Sequence, residues 1–223
     1  MNDLHCEYWL DPLCIWAFVG RDKLDRIREA DEHCLDVELR IVPIFGSLEH
    51  RFTKGPWATG GIEGRIDATA RVAREHGHPE VTGEVWRVDT PSSSWAPSIA
   101  IKAVQDMERE GEAPTGTCER YLRALQDRFF LGNENTARRS VQLDLARELD
   151  IDIEGMQRRL DDGRALAMLY EDFLDKERLG LRGSPSFVFD GGRTILYGNF
   201  AYGVLRETIA QLLAGGDTGA TAC

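Results

Sequence analysis

The residue best placed for chemistry is Cys14, which lies in the stretch Asp11-Pro12-Leu13-Cys14-Ile15-Trp16-Ala17-Phe18. It follows a strand-like run, Leu4 to Leu10, and stands where an amphipathic helix begins. Free backbone N–H groups and the positive end of the helix dipole favour a thiolate at such a junction. The thiolate is the reactive form, so the placement predicts a nucleophilic cysteine. The alternative is a small apolar residue that packs beneath the helix.

A second signal lies near the other end of the chain, in Gly183-Ser184-Pro185-Ser186-Phe187. Proline has no N–H to donate to a strand ladder, so it belongs at the first position of a strand. If the bond before Pro185 is cis and faces Cys14, Ser184 can offer its backbone N–H and C=O to an extended thiol ligand. An ordinary proline at a strand start is the alternative, and the pairing with Cys14 favours the cis interpretation.

The elements around these residues follow from hydrophobic periodicity. Leu4 to Leu10 alternates as a strand with Leu4, Cys6, Tyr8 and Leu10 on one face. A helix follows to about Asp31, and Asp36 to Ile44 forms a second strand that ends around Pro43. This order predicts a βαβ unit with a parallel strand pair.

After a long helical stretch, strand character returns near the C-terminus. A strand over Ser186–Phe189, a turn at Asp190-Gly191-Gly192, a strand over Thr194–Tyr197 and a helix over Ala201–Leu213 are predicted. The fold class is therefore α/β, with a thioredoxin-like core (βαβ…ββα) interrupted by an all-helical insertion. We assign residues 1–50 and 176–214 to the core, 51–175 to the insertion and 215–223 to a flexible tail.

The two motifs and the order of elements resemble the DsbA-like branch of the thioredoxin superfamily. This group includes FrnE-type oxidoreductases, 2-hydroxychromene-2-carboxylate isomerases and the related kappa-class glutathione transferases. The residues that carry the resemblance are D-P-x-C-x-W at Asp11 to Trp16 and the run from Arg182 to Phe189. Cys-x-Trp-Ala is also similar to proteins grouped with mycothiol-dependent nitroreductases. The resemblance implies that Cys14 is catalytic and that supporting or substrate-binding roles fall to Asp11, Pro12, Trp16, Ser184 and Pro185.

The departures from the family pattern narrow the chemistry. Dithiol members carry C-P-W-C, whereas this chain has Ile15 for the proline and Ala17 for the second cysteine. Cys6 points to the core, and Cys34 lies about 20 residues further on, or about 30 Å along a continuous helix. Neither is expected to reach Cys14 as a resolving thiol.

Three functions remain open. In the first, Cys14 forms a mixed disulfide that a small thiol such as glutathione or mycothiol resolves, as in a monothiol oxidoreductase. In the second, Cys14 only holds or polarises a bound thiol cofactor, as in a 2-hydroxychromene-2-carboxylate isomerase or a kappa-class transferase. In the third, the protein is a non-catalytic redox-sensing or binding module.

Composition limits the partners. A formal net charge of −11 argues against nucleic acid and anionic membranes as partners. The five cysteines form no CxxC pair, and no secretory signal is apparent, so we expect a cytoplasmic protein, and a homodimer is possible. No metal site and no tightly bound cofactor are predicted, since His76 and His78 are interpreted as loop residues.

Five aromatic residues could line an apolar pocket or simply pack in the core: Trp9, Trp16, Phe45, Trp57 and Trp95. The Ser92-Ser93-Ser94 turn could contact a ligand, although N-capping is its commoner role.

Overall fold

The centre of the protein is a four-stranded mixed sheet with the strand order β2-β1-β3-β4. The computed structural model describes residues 4–30 and 35–215. Its strands are β1 (Leu4–Leu10), β2 (Leu35–Ile41), β3 (Ser186–Phe189) and β4 (Thr194–Tyr197). β1 pairs with β2 in parallel and with β3 in antiparallel fashion, and β3 pairs with β4 in antiparallel fashion. The predicted βαβ unit and C-terminal hairpin are confirmed, and β2 ends at Ile41, ahead of the predicted end near Pro43.

Eleven α-helices are seen in the described part of the chain, and eight of them lie between β2 and β3. They are α1 (Ile15–Phe18), α2 (Arg21–Ala30), α3 (Leu48–Thr53), α4 (Gly61–Glu75), α5 (Val85–Val88), α6 (Trp95–Arg109), α7 (Thr117–Phe130), α8 (Arg139–Glu148), α9 (Ile153–Asp161), α10 (Arg164–Arg178) and α11 (Tyr202–Leu213). None of these helices combines the length and the apolar character that crossing a bilayer requires, as far as the described residues go. The α/β class with a thioredoxin-like core and a helical insertion is confirmed. The domain limits at residues 50/51 and 175/176 remain predictions, and 216–223 of the proposed tail lie outside the described residues.

The helix predicted from Cys14 to Asp31 is interrupted, and this prediction is wrong in detail. α1 ends at Phe18, and α2 begins at Arg21, with Gly20 between them. A Cβ at Gly20 would lie 3.0 Å from the carbonyl oxygen of Trp16 and 3.5 Å from the hydroxyl of Tyr8. The close approach to the Trp16 carbonyl favours glycine at this position between α1 and α2.

The sheet and the inserted helices share one hydrophobic core. Cys6 and Tyr8 on the inner face of β1 belong to the same buried cluster as Met107 of α6 and Tyr121 of α7. The predicted face of β1 and the core position of Cys6 are therefore confirmed. Because burial of apolar area is the main stabilising term, the helices between β2 and β3 contribute to the stability of the sheet itself.

The return of the chain from the insertion to the sheet depends on Gly180. The N–H of Gly180 donates to Glu177 O at 3.1 Å, and that of Leu181 donates to Lys176 O at 3.0 Å. Gly180 has φ +64°, the left-handed conformation that this helix-ending motif requires. Gly180 thus ends α10 as its C′ glycine and directs the chain towards Ser184 and β3.

A buried ionic cluster ties α6 and α10 to β2. The carboxylate of Asp172 accepts the backbone N–H of Ile41 at 2.8 Å. It also forms an ion pair with Lys102 and lies 3.2 Å from Nε of Arg40. The side chains of Asp172 and Lys102 are almost completely buried, so each charge depends on the other for compensation.

Replacing Asp172 is expected to destabilise the fold strongly. Asp172→Asn leaves the buried Lys102 ammonium without a counter-charge, which should lower the free energy of unfolding by about 3 to 5 kcal/mol. Urea denaturation followed by circular dichroism measures this loss. The control is Asp144→Asn, which breaks an exposed pair with Arg147 and should change stability by less than about 1 kcal/mol. Equal losses for the two variants would contradict the assignment.

Candidate active site

Cys14 lies at the N-cap of α1, with extended backbone angles of φ −82° and ψ 115°. Its side chain is buried, and Sγ donates a hydrogen bond to the carbonyl oxygen of Ser184 at 3.2 Å. The Ser184–Pro185 peptide bond is cis. The structure therefore brings together Cys14, Ser184 and Pro185, although 170 residues separate the first two in the chain.

Asp11 is completely buried and joins four parts of the site. Its Oδ1 accepts the N–H of Leu13 at 2.7 Å, and its Oδ2 accepts the N–H of Ile44 and the hydroxyl of Ser94, each at 2.6 Å. The backbone N–H of Asp11 donates to Oγ of Ser184 at 2.8 Å. A single side chain thus links the loop before α1, the segment after β2 and the start of α6.

Burial raises the pKa of Asp11 to about 6. The hydrogen bonds from Ser94 and from the backbone of Leu13, Ile44 and Phe45 act in the opposite direction because they favour the carboxylate. Loss of hydration outweighs them. Asp11 is therefore a carboxyl group that titrates closer to neutral pH than an exposed aspartate does.

Burial also raises the pKa of the Cys14 thiol. Hydrogen bonding to Ser184 and to the backbone N–H groups of Ala17 and Trp16 lowers it by a smaller amount, and the nearby charge of Asp11 raises it further. α1 has only four residues, so its dipole is weak. The expectation that the helix start makes Cys14 a thiolate is wrong for this structure: in it, Cys14 is a buried neutral thiol.

Pro12 and Trp16 have different surroundings. Pro12 is buried inside the tight turn that the bond from Cys14 N to Asp11 O closes at 3.1 Å, and its fixed φ suits that position. Trp16 is 40% exposed and meets the ring of His76, at the end of α4, edge-on with 5.5 Å between ring centroids. Pro12 therefore shapes the loop, whereas Trp16 is available at the surface beside Cys14.

The five aromatic residues do not form one pocket. Only Phe45 and Trp57 come together, with their ring centroids 5.3 Å apart. Trp9 packs in a separate buried cluster, and Trp95 contacts Phe173 of α10. Three of the five residues are thus placed away from the Phe45–Trp57 pair.

Three residues of this region were missed or misjudged from the sequence. Ser94 does not cap α6 with its side chain, because its hydroxyl donates to Asp11. Arg51 donates from Nη2 to the carbonyl oxygen of Ile44 at 2.7 Å, and the Arg65 guanidinium lies 4.3 Å from the ring centroid of Trp57. The serine run marked Ser94 as a candidate, but no spacing in the sequence connects the two arginines with Cys14.

One group of side chains has the composition of a metal site. His5, Glu7 and Glu38 place ligand atoms within 4.8 Å of one another. Arg40 lies 3.9 Å from Glu7 and 3.4 Å from Glu38, so a cation already compensates these carboxylates. We assign no metal to this group.

Fold and site together define a thioredoxin-fold protein with a helical insertion between β2 and β3. The chain belongs to the thioredoxin family represented by the Thioredoxin_5 model, which matches residues 8–194. A curated relative is the ClpXP adapter protein SpxH of Halalkalibacterium halodurans, 27% identical over 187 residues, which covers 81% of this chain and 56% of the relative. This chain thus spans little more than half the length of that relative.

Solved structures with the same fold cover nearly the whole chain. The cytosolic disulfide reductase DsbM from Pseudomonas aeruginosa superposes with a TM-score of 0.67 at 21% identity, covering 95% of this chain and 98% of that one. A 2-hydroxychromene-2-carboxylate isomerase gives 0.68 at 12% identity, with coverages of 95% and 97%. A probable DsbA oxidoreductase from Streptomyces coelicolor gives 0.70 at 19% identity, with coverages of 99% and 94%. At these identities the likeness establishes the fold.

The raised pKa of Cys14 predicts slow alkylation at neutral pH. The rate of reaction with iodoacetamide should keep rising with pH beyond the range, near 8.5, in which an ordinary cysteine titrates. Peptide-resolved mass spectrometry over a pH series measures this, with the same peptide from the urea-unfolded chain as the control. Faster alkylation in the folded protein at neutral pH would contradict a buried neutral thiol.

The raised pKa of Asp11 predicts a loss of stability with rising pH. Burial moves the pKa from 3.8 to about 6, so the folded state binds this proton more tightly than the unfolded state does. The resulting stabilisation is complete below about pH 4 and is lost as the pH rises through about 6, a change of about 3 kcal/mol.

The variant Asp11→Asn separates this effect from other titrations. The variant loses stability by an amount that does not depend on pH, because its amide group cannot accept every hydrogen bond that Asp11 accepts. It has no carboxyl group at this position that could titrate. The free energy of unfolding of the wild type minus that of the variant should therefore fall between about pH 4 and about pH 7. Urea denaturation over this range measures the difference, and a flat or rising difference would show that the pKa of Asp11 is not raised.

Proposed function

We propose that this protein is a DsbA-like thiol oxidoreductase whose single nucleophile, Cys14, works through a mixed disulfide with a low-molecular-weight thiol such as glutathione or mycothiol. The observation that carries the proposal is the contact of Cys14 Sγ with Ser184 O, directly before Pro185. An extended thiol ligand that pairs with the Ser184 backbone would present its sulfur to Cys14. In this role Asp11 and Pro12 hold the loop, and Trp16 flanks the ligand.

The second thiol must come from solution. Ala17 occupies the position of the second cysteine in dithiol relatives, and it is buried. Among the described residues, Cys6 and Cys118 are free and buried, whereas Cys34 and Cys223 lie outside the described residues. A small thiol can take the place of a resolving cysteine because it can attack the mixed disulfide directly.

The reaction needs two exchanges. The Cys14 thiolate attacks the disulfide of a substrate that carries the small thiol, forms Cys14–S–S–R and expels the substrate thiolate. A second RS⁻ then attacks the R sulfur, which forms RSSR and restores the Cys14 thiolate. Each cycle consumes one RS⁻ from solution: its sulfur is oxidised to the disulfide level in RSSR, and the substrate sulfur is reduced to the thiolate.

The raised pKa of Cys14 affects both exchanges. A sulfur with a high pKa is intrinsically a strong nucleophile, but little of it is ionised at neutral pH, and it is a poor leaving group. We therefore expect the mixed disulfide at Cys14 to be resolved slowly, and turnover to rise with pH.

A second candidate is a thiol-cofactor-dependent isomerase or transferase. The neutral Cys14 thiol favours it, because a buried S–H can donate a hydrogen bond to the sulfur of a bound cofactor instead of to Ser184. A protein described as a 2-hydroxychromene-2-carboxylate isomerase has the same fold, which supports this candidate.

A third candidate is a redox-sensing or binding module with a protein partner. The relative described as a ClpXP adapter favours it.

A cytoplasmic location and a homodimer remain part of our proposal. A relative described as a cytosolic disulfide reductase, whose structure with GSH has been solved, supports the location and the use of glutathione.

Substitution of Cys14 distinguishes these candidates. With glutathione disulfide, intact mass spectrometry should show one adduct, at Cys14, and glutathione-dependent reduction of a glutathionylated peptide should be lost in Cys14→Ser. Cys118→Ala removes another buried thiol and should keep the activity. Turnover retained by Cys14→Ser would favour the cofactor-holding enzyme, and the absence of any Cys14 adduct would favour the binding module.

A further inference from the structure

Two arginines near Cys14 have no carboxylate partner among the residues that the structure describes. Arg51 of α3 donates to the carbonyl oxygen of Ile44. Arg65 of α4 is partly buried, and its Nε has no hydrogen-bond partner. Other arginines without an ion pair in the described part of the chain, such as Arg71 and Arg74, are exposed, whereas Arg51 and Arg65 are both partly buried.

Both guanidinium groups lie against the same indole ring. The centre of the Arg65 guanidinium is 4.3 Å from the ring centroid of Trp57, and that of Arg51 is 5.2 Å from it. Stacking on aromatic faces orients the two cations but leaves N–H donors in the guanidinium planes unsatisfied. Burial and the neighbouring charge of Arg51 contribute to a pKa for Arg65 of about 10. Two like charges on one ring favour a bridging anion.

Arg51 is connected to the Cys14 site by a chain of hydrogen bonds. Arg51 donates to Ile44 O, Ile44 N–H donates to Asp11, and the Asp11 N–H donates to Ser184, the residue that Cys14 contacts. Arg65 is close enough to Cys14 for the thiolate charge to raise the pKa of the guanidinium. The charge of Asp11 acts on both guanidinium groups, but Asp11 forms no ion pair with either of them, because its oxygens accept hydrogen bonds from Leu13, Ile44 and Ser94.

We propose that Arg51 and Arg65, stacked on Trp57, form an anion subsite that binds a carboxylate of the small thiol whose sulfur reacts at Cys14. The inference rests on the proposed function and specifies its ligand. A planar guanidinium can bind a carboxylate through two parallel hydrogen bonds, so two such groups fit an acidic thiol.

The subsite distinguishes between the two classes of thiol considered above. Glutathione carries two carboxylates, whereas the cysteine of mycothiol is N-acetylated and joined through an amide to uncharged sugars. An acidic thiol can form ion pairs with the two arginines, whereas a thiol without a carboxylate cannot. The protein is therefore expected to use a glutathione-type thiol and to discriminate against mycothiol.

The test measures binding without thiol exchange. In the full chain carrying Cys14→Ser, isothermal titration calorimetry compares S-methylglutathione with its diamide, in which neutral amides replace both carboxylates. We expect the acid to bind at least about tenfold more tightly than the diamide. Arg51→Met and Arg65→Met should each weaken binding of the acid by about tenfold and leave binding of the diamide nearly unchanged.

The matched control is Arg71→Met, which removes an exposed arginine from the same helix and changes the net charge equally. It should bind the acid as the parent does. Arg65→Lys keeps the positive charge but lacks the planar guanidinium, so it should bind the acid more tightly than Arg65→Met does and less tightly than the parent does. Equal affinity for acid and diamide, no saturable binding of the acid, or equal losses in Arg65→Met and Arg71→Met would overturn the subsite. Because the assay needs no sulfur chemistry, its result is independent of whether Cys14 forms a mixed disulfide.

Discussion

The buried carboxylate of Asp11 is the interaction on which the geometry of the site depends. A carboxylate out of water is tolerated only when hydrogen bonds replace its hydration. Here those donors come from the loop before α1, from the segment after β2 and from the start of α6. The backbone of the same residue reaches Ser184 before β3. Satisfying one side chain therefore holds together the segments that must meet around Cys14.

The same burial determines the chemistry of the thiol. Backbone N–H groups at the start of α1 favour a Cys14 thiolate, as they do in any helix of this orientation, but the loss of solvent disfavours it more strongly. Cys14 thus has the N-terminal helix position that favours ionisation, but burial keeps the thiol neutral. A bound ligand can displace the hydrogen bond from the Cys14 thiol to the Ser184 carbonyl and change the solvation of the sulfur. A neutral thiol in this position therefore suits thiol–disulfide exchange that begins only after a ligand has bound.

The inserted helices contribute residues to the site. α6 begins beside Ser94, whose hydroxyl binds Asp11, and α3 and α4 carry Arg51 and Arg65 to the aromatic pair of Phe45 and Trp57. Cys14 and Ser184 come from the core. In our proposal, the α/β core supplies the reacting sulfur of Cys14, and the insertion supplies the two arginines that bind the ligand. Both parts are held by the common hydrophobic core around β1 and α6.

Local patterns in the sequence determined most of the fold, and they identified Cys14, Ser184 and Pro185 as site residues. Alternation over Leu4–Leu10, the turn at Asp190-Gly191-Gly192 and the Gly180 helix end act over a few residues, so they can be read without tertiary contacts. The types and order of Cys14, Ser184 and Pro185 likewise pointed to a thiol site. Only the tertiary structure decided the protonation of Cys14, since a pKa depends on how much solvent the packed neighbours exclude. It alone also brought Ser94, Arg51 and Arg65 to the site, because these residues reach it through long-range packing that no spacing along the chain encodes.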